Sequence, residues 1–371
     1  MTDRSLVLVA GVTAAAALWG YPVPAAVVGV CVVAASAAVR FQPSRASGAP
    51  WTVVFLVALA LASATSHRAF VATSALDDAL PRTVRGVATL RTDPEPTLGG
   101  ARAIIEIQHR RYLATFTQPV ASIVGDLLAG ERVQLVAQPR RLRHVSVDWQ
   151  RSQHLAGRVA TGTAVIGPAP SLLARCANGV RRRLVAGADP LPEDLRPLYL
   201  GLVVGDDRSQ APVLRHQFRA SGLAHLLAVS GQNVAFVLLA AAPLLGRLRL
   251  VPRAIATMLL LALFTMVVRA EASVLRAVAM AFVVVVAALL GRRVSPLRGA
   301  LLAAVALLVA DPLLIRSVGF RLSVAATVGL VVLTRPIARH VPGPRPFATA
   351  VSVVLAAQVA TSPVLVPLAD G

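Results

Sequence analysis

Apolar residues are concentrated in two parts of the chain, and a more polar part separates them. Near the N-terminus, apolar runs without any charged residue cover 6–20, 23–39 and 51–66. A membrane-crossing helix needs about 20 apolar residues, so these runs are slightly short. The pattern nevertheless predicts about nine membrane segments in total, because apolar runs of similar length return after residue 222. The later segments are 223–246, 252–268, 272–290, 299–315, 317–334 and 347–369.

Residues 67–170 show a different pattern of short β-branched segments bounded by Gly, Pro or Asp, which is typical of strands. Gly99-Gly100 lies between the first two segments and indicates a hairpin turn. Five short strands favour a small barrel or a sandwich, and the OB-fold is the five-stranded option. Periodicity alone leaves these choices open. The predicted strands are 84–90, 103–107, 112–116, 132–137 and 160–166.

Residues 171–222 are predicted to form amphipathic linker helices at the membrane surface rather than across it. Ser171 is a suitable N-cap for the first helix, and the arginines at 181–183 give that helix a basic face. Pro190 and Pro192 end the first helix, and a second covers about 193–204 before a polar turn.

Composition supports a membrane protein. The chain has 371 residues, of which 56% are hydrophobic and only 15% are charged, whereas soluble domains are about 25% charged. All 37 basic residues are arginine, and the net charge is +20. Cys31 and Cys176 provide neither a disulfide framework nor a metal-ligand spacing. The predicted fold class is therefore a multi-pass α-helical membrane protein with a small inserted all-β domain, OB-fold-like, and with domains at 1–66, 67–170, 171–222 and 223–371.

The arginines in short loops predict the orientation, because cytoplasmic loops are enriched in positive charge. If the N-terminus is cytoplasmic, every arginine-rich short loop falls on the cytoplasmic side and the 67–170 domain falls outside. The chain is therefore expected in the cytoplasmic membrane, with the β domain extracytoplasmic. The arginines that mark the inner loops are Arg40, Arg45, Arg247, Arg249, Arg253, Arg292, Arg293, Arg298, Arg335, Arg339 and Arg345.

Several polar residues interrupt the apolar segments, where they are costly and are expected to face the bundle interior or a wet path. His225, Arg276 and Arg321 lie near the outer ends of their segments and, with Arg269 and Arg316, predict an electropositive outer vestibule. Snorkelling to lipid headgroups is an alternative for each arginine. Interhelical hydrogen bonding is the alternative for the uncharged residues. The candidate translocation-path residues are His225, Ser230, Gln232, Asn233, Glu271, Arg276, Arg321 and Ser323.

Four blocks, in this order and spacing, resemble the ComEC family of competence proteins: 201–206, 218–231, 273–277 and 311–323. The resemblance implies an inner-membrane channel that carries single-stranded DNA into the cytoplasm during natural transformation. It also implies membrane lipid, an outer DNA receptor, a cytoplasmic helicase-like ATPase and a separate nuclease as partners. The chain contains no phosphate-binding loop of its own.

The sequence departs from the family pattern in three places. Gln232 and Asn233 stand where Leu and His are usual after Ser-Gly, and Arg321 replaces a usual glutamine. The chain also ends at Gly371, apparently inside the helical domain and before the metallo-β-lactamase-like domain of many members. No clustered metal ligands are present in the sequence, so we expect no metal, no cofactor and no enzymatic activity.

Single-strand binders combine a basic groove with aromatic stacking platforms. Tyr112 and Phe116 share a strand face and are equally consistent with a core position. The candidate DNA-binding residues of the β domain are Arg110, Arg111, Arg140, Arg141, Arg143 and Trp149.

Three other functions compete with a DNA channel. An intramembrane enzyme using Ser230 and His225 is disfavoured, because residues five apart on a helix do not share a face. A permease for another anion fits the charge pattern equally well. A degenerate competence-protein fragment would explain the altered residues at 232 and 233.

Overall fold

The computed structural model describes residues 3–19, 49–142, 146–206, 208–220, 231–269 and 272–369. By their contacts the residues divide into two compact units. The first consists of Met1–Ser74 and Ala279–Gly371, and its described part is helical. The second, Ala75–Val278, combines a β-sheet with helices.

The secondary structure alternates from helices to strands and back to helices. The strands are β1 (Val84–Leu90), β2 (Glu95–Thr97), β3 (Gly100–Ile107), β4 (Arg110–Thr117), β5 (Arg132–Ala137), β6 (Leu155–Thr161) and β7 (Ala164–Ile166). The helices that precede or interrupt the sheet are α1 (Asp3–Trp19), α2 (Ala49–Asp77), α3 (Val120–Gly125) and α4 (Val147–Ser152). The helices that follow are α5 (Leu172–Ala186), α6 (Arg196–Val204), α7 (Pro212–Ala220), α8 (Gly231–Leu245), α9 (Leu250–Val267), α10 (Ala272–Leu289), α11 (Pro296–Ala310), α12 (Val318–Ala338) and α13 (Arg345–Ala369), with a 3-10 turn at Pro312–Arg316.

The seven strands form one curled sheet in the order β6-β4-β3-β1-β5-β7, with β2 paired to β3. The pairing of β4 with β6 is parallel, and the other pairs are antiparallel. An antiparallel bridge between Arg140 and Arg158 connects the chain after β5 to β6. The two sides of the sheet are thereby brought together.

The concave side of the sheet holds the core of the β domain. Residues alternate along each strand, so that Tyr112, Ala114 and Phe116 of β4 point inward together. Tyr112 is 1% exposed and Phe116 is 0% exposed. Both rings pack in a cluster with the apolar residues of β1, β3, β5 and α3. The core interpretation of these two aromatic residues is therefore confirmed.

The predicted strands at 84–90 and 132–137 are confirmed at both ends, and β3 and β4 extend the predicted segments by a few residues. The prediction of one strand at 160–166 is wrong. The chain turns after Thr161, whose hydroxyl donates to the Thr163 carbonyl at 2.8 Å. Two strands, β6 and β7, therefore replace it, and they lie on different parts of the sheet.

Among the described residues, three helices are long and apolar enough to cross a membrane: Leu250–Val267, Val318–Ala338 and Arg345–Val366. Shorter apolar helices cover Val9–Leu18, Gly231–Leu245, Ser273–Leu289 and Pro296–Ala310. The predicted membrane class is confirmed at this level, whereas the apolar run at 23–39 lies outside the described residues.

Hydroxyl groups within these helices find partners in their own backbone, as an apolar environment requires. Thr257 donates to the carbonyl of Arg253 at 2.8 Å, and Ser352 donates to the carbonyl of Ala348 at 2.6 Å. Such bonds to the preceding turn allow polar residues in an apolar helix without a partner helix.

The predicted segment at 299–315 is not one helix. α11 ends at Ala310, and Asp311 adopts an extended conformation with φ −140° and ψ 95°. Its carboxylate accepts a hydrogen bond from the Leu313 backbone N–H at 3.0 Å and so caps the following 3-10 turn. Pro312 has no N–H to continue the α-helix.

In the first unit, α12 and α13 pack closely at small residues. A Cβ atom on Gly329 would lie only 2.9 Å from the carbonyl oxygen of Ala356 and would also overlap the side chain of Ala360. Small residues at such positions allow helix backbones to approach closely, which drives helix association in membranes.

Candidate functional site

A buried arginine, Arg181 of α5, lies at the centre of a polar network in the second unit. Its side chain is 2% exposed. One terminal nitrogen lies 2.8 Å from Asp93 and 3.3 Å from Asp206. The other donates to the carbonyls of Val204 at 2.7 Å and Val267 at 2.9 Å. One guanidinium therefore bridges two carboxylates and the C-terminal ends of α6 and α9.

Asp93 connects this network to the β domain, because it lies in the loop between β1 and β2. Its carboxylate accepts from the backbone N–H of Ala129 at 2.8 Å and pairs with Arg269 at 2.6 Å. Arg269 also donates to the amide oxygen of Asn178 at 3.1 Å, and Asn178 donates to the Ala129 carbonyl at 3.2 Å. The β domain, α5 and the end of α9 are thus joined by charged and polar contacts.

The third part of the network is Asp206, which follows the left-handed C-cap residue Gly205 of α6. Arg208 binds both carboxylate oxygens of Asp206, at 2.8 Å and 2.6 Å, and donates to the Pro94 carbonyl at 3.2 Å. Burial on its own raises the pKa of Asp206, but the hydrogen bonds and charge of Arg208, together with the charge of Arg181, outweigh burial. The pKa of Asp206 is therefore held below its ordinary value.

Burial disfavours the charged form of Arg181. Burial lowers the pKa of the Arg181 guanidinium, and the charge of Arg269 acts in the same direction, whereas Asp93 and Asp206 oppose both. Buried charges are stable only when they are paired and hydrogen-bonded. The two carboxylates and two carbonyls around Arg181 supply that environment.

Two expectations from the sequence are corrected by this network. The arginines at 181–183 do not form one basic face, because Arg181 is buried whereas Arg182 is exposed and pairs with Glu131 at 2.6 Å. The guanidinium of Arg269 pairs with Asp93 at 2.6 Å, so it presents no unneutralised charge either to an outer vestibule or to lipid headgroups.

A sequence signal for Arg181 exists in the spacing of its helix. The buried residues of α5 are Ala174, Ala177, Asn178 and Arg181, at intervals of three and four. This spacing is that of one helix face. Three small or amide residues on one face indicate close packing and place Arg181 on the buried side. This signal is missed when the arginines at 181–183 are interpreted together as one basic block.

One predicted path residue of the second unit, Arg276, lies beside the start of α8, the helix that carries Gln232 and Asn233. A Cβ atom on Gly231 would lie 3.6 Å from the Arg276 guanidinium and 3.2 Å from the side chain of Ala277, so α8 begins directly against α10. Asn233 is half-buried and donates to the Leu202 carbonyl at the end of α6 at 2.7 Å. Gln232 is exposed. His225, Ser230 and Glu271 lie outside the described residues.

Arg321 and Ser323 belong to α12 in the first unit. Ser317 caps this helix by accepting from the Phe320 N–H at 3.4 Å, and the Arg321 N–H donates to the Ser317 carbonyl at 3.1 Å. The side chains of Arg321 and Ser323 are half-buried.

Two arginines of the first unit, Arg68 and Arg316, donate to carbonyls at helix C-termini. Arg68 of α2 donates to the carbonyls of Val309 and Ala310 at the end of α11. Arg316 donates to the Leu18 carbonyl near the end of α1 at 3.4 Å. This bond uses one terminal nitrogen of Arg316, and its role in an outer vestibule stays a prediction.

The candidate DNA-binding arginines of the β domain differ in their surroundings. Arg110 pairs with Asp78 at 3.3 Å, and Arg111 lies 3.4 Å from Glu106. Burial raises the pKa of Glu106, but Arg91 and Arg111 outweigh it and hold that pKa below its ordinary value. Arg140 and Arg141 are exposed, and Arg143 lies outside the described residues. Trp149 is 39% exposed and lies on the short helix α4. Its backbone N–H donates to the hydroxyl of Ser146, the N-cap residue of that helix.

Within the described residues there is no group of three or more His, Cys, Asp or Glu side chains that could hold a metal ion.

Apolar helices of spanning length, a curled β-sheet domain and a charged network between that domain and the helices define a membrane protein with an attached β domain. Residues 202–369 match the family model described as Competence protein. No curated protein and no solved structure matches the chain. This match confirms the resemblance to competence proteins over residues 202–369.

Proposed function

We propose that this chain is the component of a membrane channel that moves single-stranded DNA across the cytoplasmic membrane during natural transformation. The match of residues 202–369 to the competence family carries this proposal. A role in DNA uptake follows from that family, and the apolar helices of the same segment supply a means of crossing the membrane.

We further propose that the β domain is an OB-fold-like module. Five of its strands, β1, β3, β4, β5 and β6, pair in a closed cycle when the Arg140–Arg158 bridge is included. A partly open five-stranded barrel is the architecture of the OB-fold, which binds oligonucleotides. The parallel pairing of β4 with β6 and the position of α3 between β4 and β5 support the same proposal.

The proposed orientation has the N-terminus in the cytoplasm and the β domain outside. The bond between Asp93 and Arg269 supports it, because an ion pair of 2.6 Å requires the β domain and the end of α9 on the same side of the membrane. The arginine-rich loops after α8 and α10 then fall in the cytoplasm, as the distribution of positive charge favours.

Contacts in the first unit support the same orientation. Arg68, which follows the apolar run 51–66 within α2, contacts the end of α11, and Arg316, after α11, contacts the end of α1. The ends of α1 and α11 and the end of the apolar run of α2 therefore lie at one level. In the proposed orientation all three are on the outer side.

We propose that the translocation path includes the residues singled out by sequence: His225, Ser230, Gln232, Asn233, Glu271, Arg276, Arg321 and Ser323. The proximity of Gly231 to Arg276 supports this assignment for the second unit, because it places a guanidinium beside the start of α8. A positive charge in an otherwise apolar bundle attracts an anionic strand. The alternative ligand is another anion taken up by a permease.

In this proposal the chain is a transport component and not an enzyme, and it uses no cofactor. Its partners are single-stranded DNA, membrane lipid, an outer DNA receptor, a helicase-like ATPase in the cytoplasm and a separate nuclease. Movement of DNA inward needs energy, and the sequence contains no phosphate-binding loop to supply it.

Uptake of labelled single-stranded DNA into cells or proteoliposomes tests the proposal. Arg276→Ala should reduce uptake at least tenfold while the protein remains inserted in the membrane. Arg293→Ala is the matched control, because Arg293 is exposed in the loop after the same helix. Equal uptake by the two variants would contradict the role of Arg276, and uptake of small anions in place of DNA would favour the permease.

A further inference from the structure

The outer surface of the β domain contains a groove where the two sides of the curled sheet meet. It has a volume of about 660 Å³ and is lined by residues of β4, β5 and β6, by the chain that follows β5 and β6, and by Thr83. Arg140 and Arg158 are its charged residues, and no carboxylate of the described residues lines it. Thr115, Gln138 and Thr163 add hydroxyl and amide groups.

Arg140 and Arg158 oppose each other directly. The N–H of Arg140 donates to the Arg158 carbonyl at 2.8 Å, and the N–H of Arg158 donates to the Arg140 carbonyl at 2.7 Å. In an antiparallel pair of this kind the Cα atoms are about 5.5 Å apart and the side chains project from the same face. Both side chains are exposed and both line the groove.

Like charges directly opposite each other destabilise a sheet. Among the described residues, neither Arg140 nor Arg158 is within ion-pair distance of a carboxylate, unlike Arg110 and Arg111. The pair of unneutralised guanidiniums is therefore an electrostatic cost in the empty protein. An anion between the two guanidiniums would remove that cost through charge-assisted hydrogen bonds.

The backbone is adapted to hold this pair. A Cβ atom on Gly157 would lie 2.8 Å from the Arg140 carbonyl oxygen. Only glycine at 157 therefore allows the chain after β5 to approach β6 closely enough to form the bridge. The next residue on β6 is Arg158 itself.

The floor beside the arginines suits an extended strand. On the outer face, Arg158 is opposite Leu113 of β4, and Ala160 is opposite Thr115. These side chains are short or uncharged and leave the neighbouring surface open. Arg102 of β3 is opposite Thr115 on the far side and is exposed.

We propose that this groove binds a phosphodiester of a single-stranded nucleic acid between Arg140 and Arg158. The inference rests on the proposed function and narrows the DNA contact of the β domain. It adds Arg158, which the sequence did not indicate, and assigns the main contact to the unpaired arginines rather than to Arg110 and Arg111.

The test measures anisotropy of a fluorescent oligo-dT on the full chain in nanodiscs of zwitterionic lipid, at several salt concentrations. Arg140→Gln and Arg158→Gln should each weaken binding about tenfold and reduce the slope of log K against log salt by about 0.7, the value for one phosphate contact on a single strand. Arg132→Gln is the matched control, because Arg132 lies on the outer face at the other end of β5. It should leave the slope unchanged.

Stability of the unliganded protein gives a second readout. Since the two arginines repel each other, Arg158→Gln should leave the unfolding midpoint equal to or above that of the wild type. A fall in the midpoint would indicate a structural role for Arg158 and would contradict the proposal.

The outcomes separate the groove from the wider function. If the wild type binds oligo-dT but the groove variants retain its affinity and slope, the groove is not the site and the channel proposal stands. If inorganic phosphate binds through Arg140 and Arg158 but oligo-dT does not, the ligand class is wrong. If neither ligand binds the wild type, the groove proposal is overturned, while DNA uptake tested through Arg276 still decides the channel function.

Discussion

Replacement of Arg181 by alanine should destabilise the second unit more than replacement of any neighbouring arginine. The side chain makes two carboxylate contacts, at 2.8 Å and 3.3 Å, and two carbonyl contacts, at 2.7 Å and 2.9 Å. Its removal leaves the carbonyls of Val204 and Val267 without this donor in a buried site. It also leaves Asp93 and Asp206 with fewer cations around them.

The expected loss is about 3–5 kcal/mol, the range measured when one partner of a buried ion pair is removed. For a unit of 150–250 residues, each kcal/mol shifts the unfolding midpoint by about 2–4 °C. The midpoint of Arg181→Ala should therefore fall by about 6–20 °C. The midpoint of Arg181→Lys should lie between those of the wild type and Arg181→Ala. Lysine keeps the positive charge, but its ammonium lacks the planar fork that reaches two carboxylates and two carbonyls at once.

Arg182→Ala is the matched control, since it removes the same side chain from the next position of the same helix. Arg182 is 60% exposed in its side chain and makes one ion pair, with Glu131 at 2.6 Å. Exposed pairs of this kind contribute about 0–1 kcal/mol. Differential scanning fluorimetry of the purified chain in detergent measures both variants. Equal midpoints for the two variants would refute the reasoning that Arg181 joins the β domain to α6 and α9.

Two further predictions concern acid stability and helix packing. Because the folded pKa of Asp206 lies below its ordinary value of 3.8, its charge stabilises the fold above that pH, and the contribution is lost as the pH falls through the folded pKa. Asp206→Asn should lower the midpoint at pH 7 and flatten its decline below about pH 4 in a pH series of thermal melts; an unchanged decline would assign the acid sensitivity to other groups. Gly329→Ala should lower the free energy of unfolding by about 1–3 kcal/mol, because the added methyl group overpacks against α13. Gly11→Ala is the control, since Gly11 is a helical glycine with nothing within 4 Å of an added Cβ atom, and it should be neutral or stabilising in the same melts. Equal effects of the two substitutions would contradict close packing at Gly329.

The strands of the β domain could be predicted from sequence because their information is local. β1 and β5 contain β-branched residues, and Gly, Pro or Asp lies close to the ends of both segments, so their limits were predicted correctly. The break after Thr161 was missed, because it depends on a side-chain bond between Thr161 and Thr163 rather than on a Gly or Pro signal alone. The end of α11 at Ala310 was missed as well, because Asp311 was interpreted as a single polar residue within the apolar segment 299–315.

The network around Arg181 could not be predicted from neighbours in sequence. The Val267 carbonyl is 86 residues from Arg181 along the chain, and the bond between Arg269 and Asp93 joins residues 176 apart. Only the fold brings these groups together. The sequence shows the excess of arginine, and the spacing of Ala174, Ala177 and Asn178 places Arg181 on their face of α5. The local pattern does not show which distant carboxylates and carbonyls Arg181 meets.

The positive charge of the chain is therefore divided among different tasks. Arg68, Arg181 and Arg316 donate to carbonyls at helix C-termini, where the helix dipole favours a cation and where backbone acceptors lack a partner within the helix. A guanidinium suits this position because it has five donors in a fixed plane and remains charged when it is buried. Of these three arginines, Arg181 is buried and is therefore not available to an anionic ligand. Net charge consequently overstates the surface that is open to an anionic ligand. Among the described residues, the exposed Arg140 and Arg158 have no carboxylate within ion-pair distance, and in the proposed groove their charge is open to such a ligand.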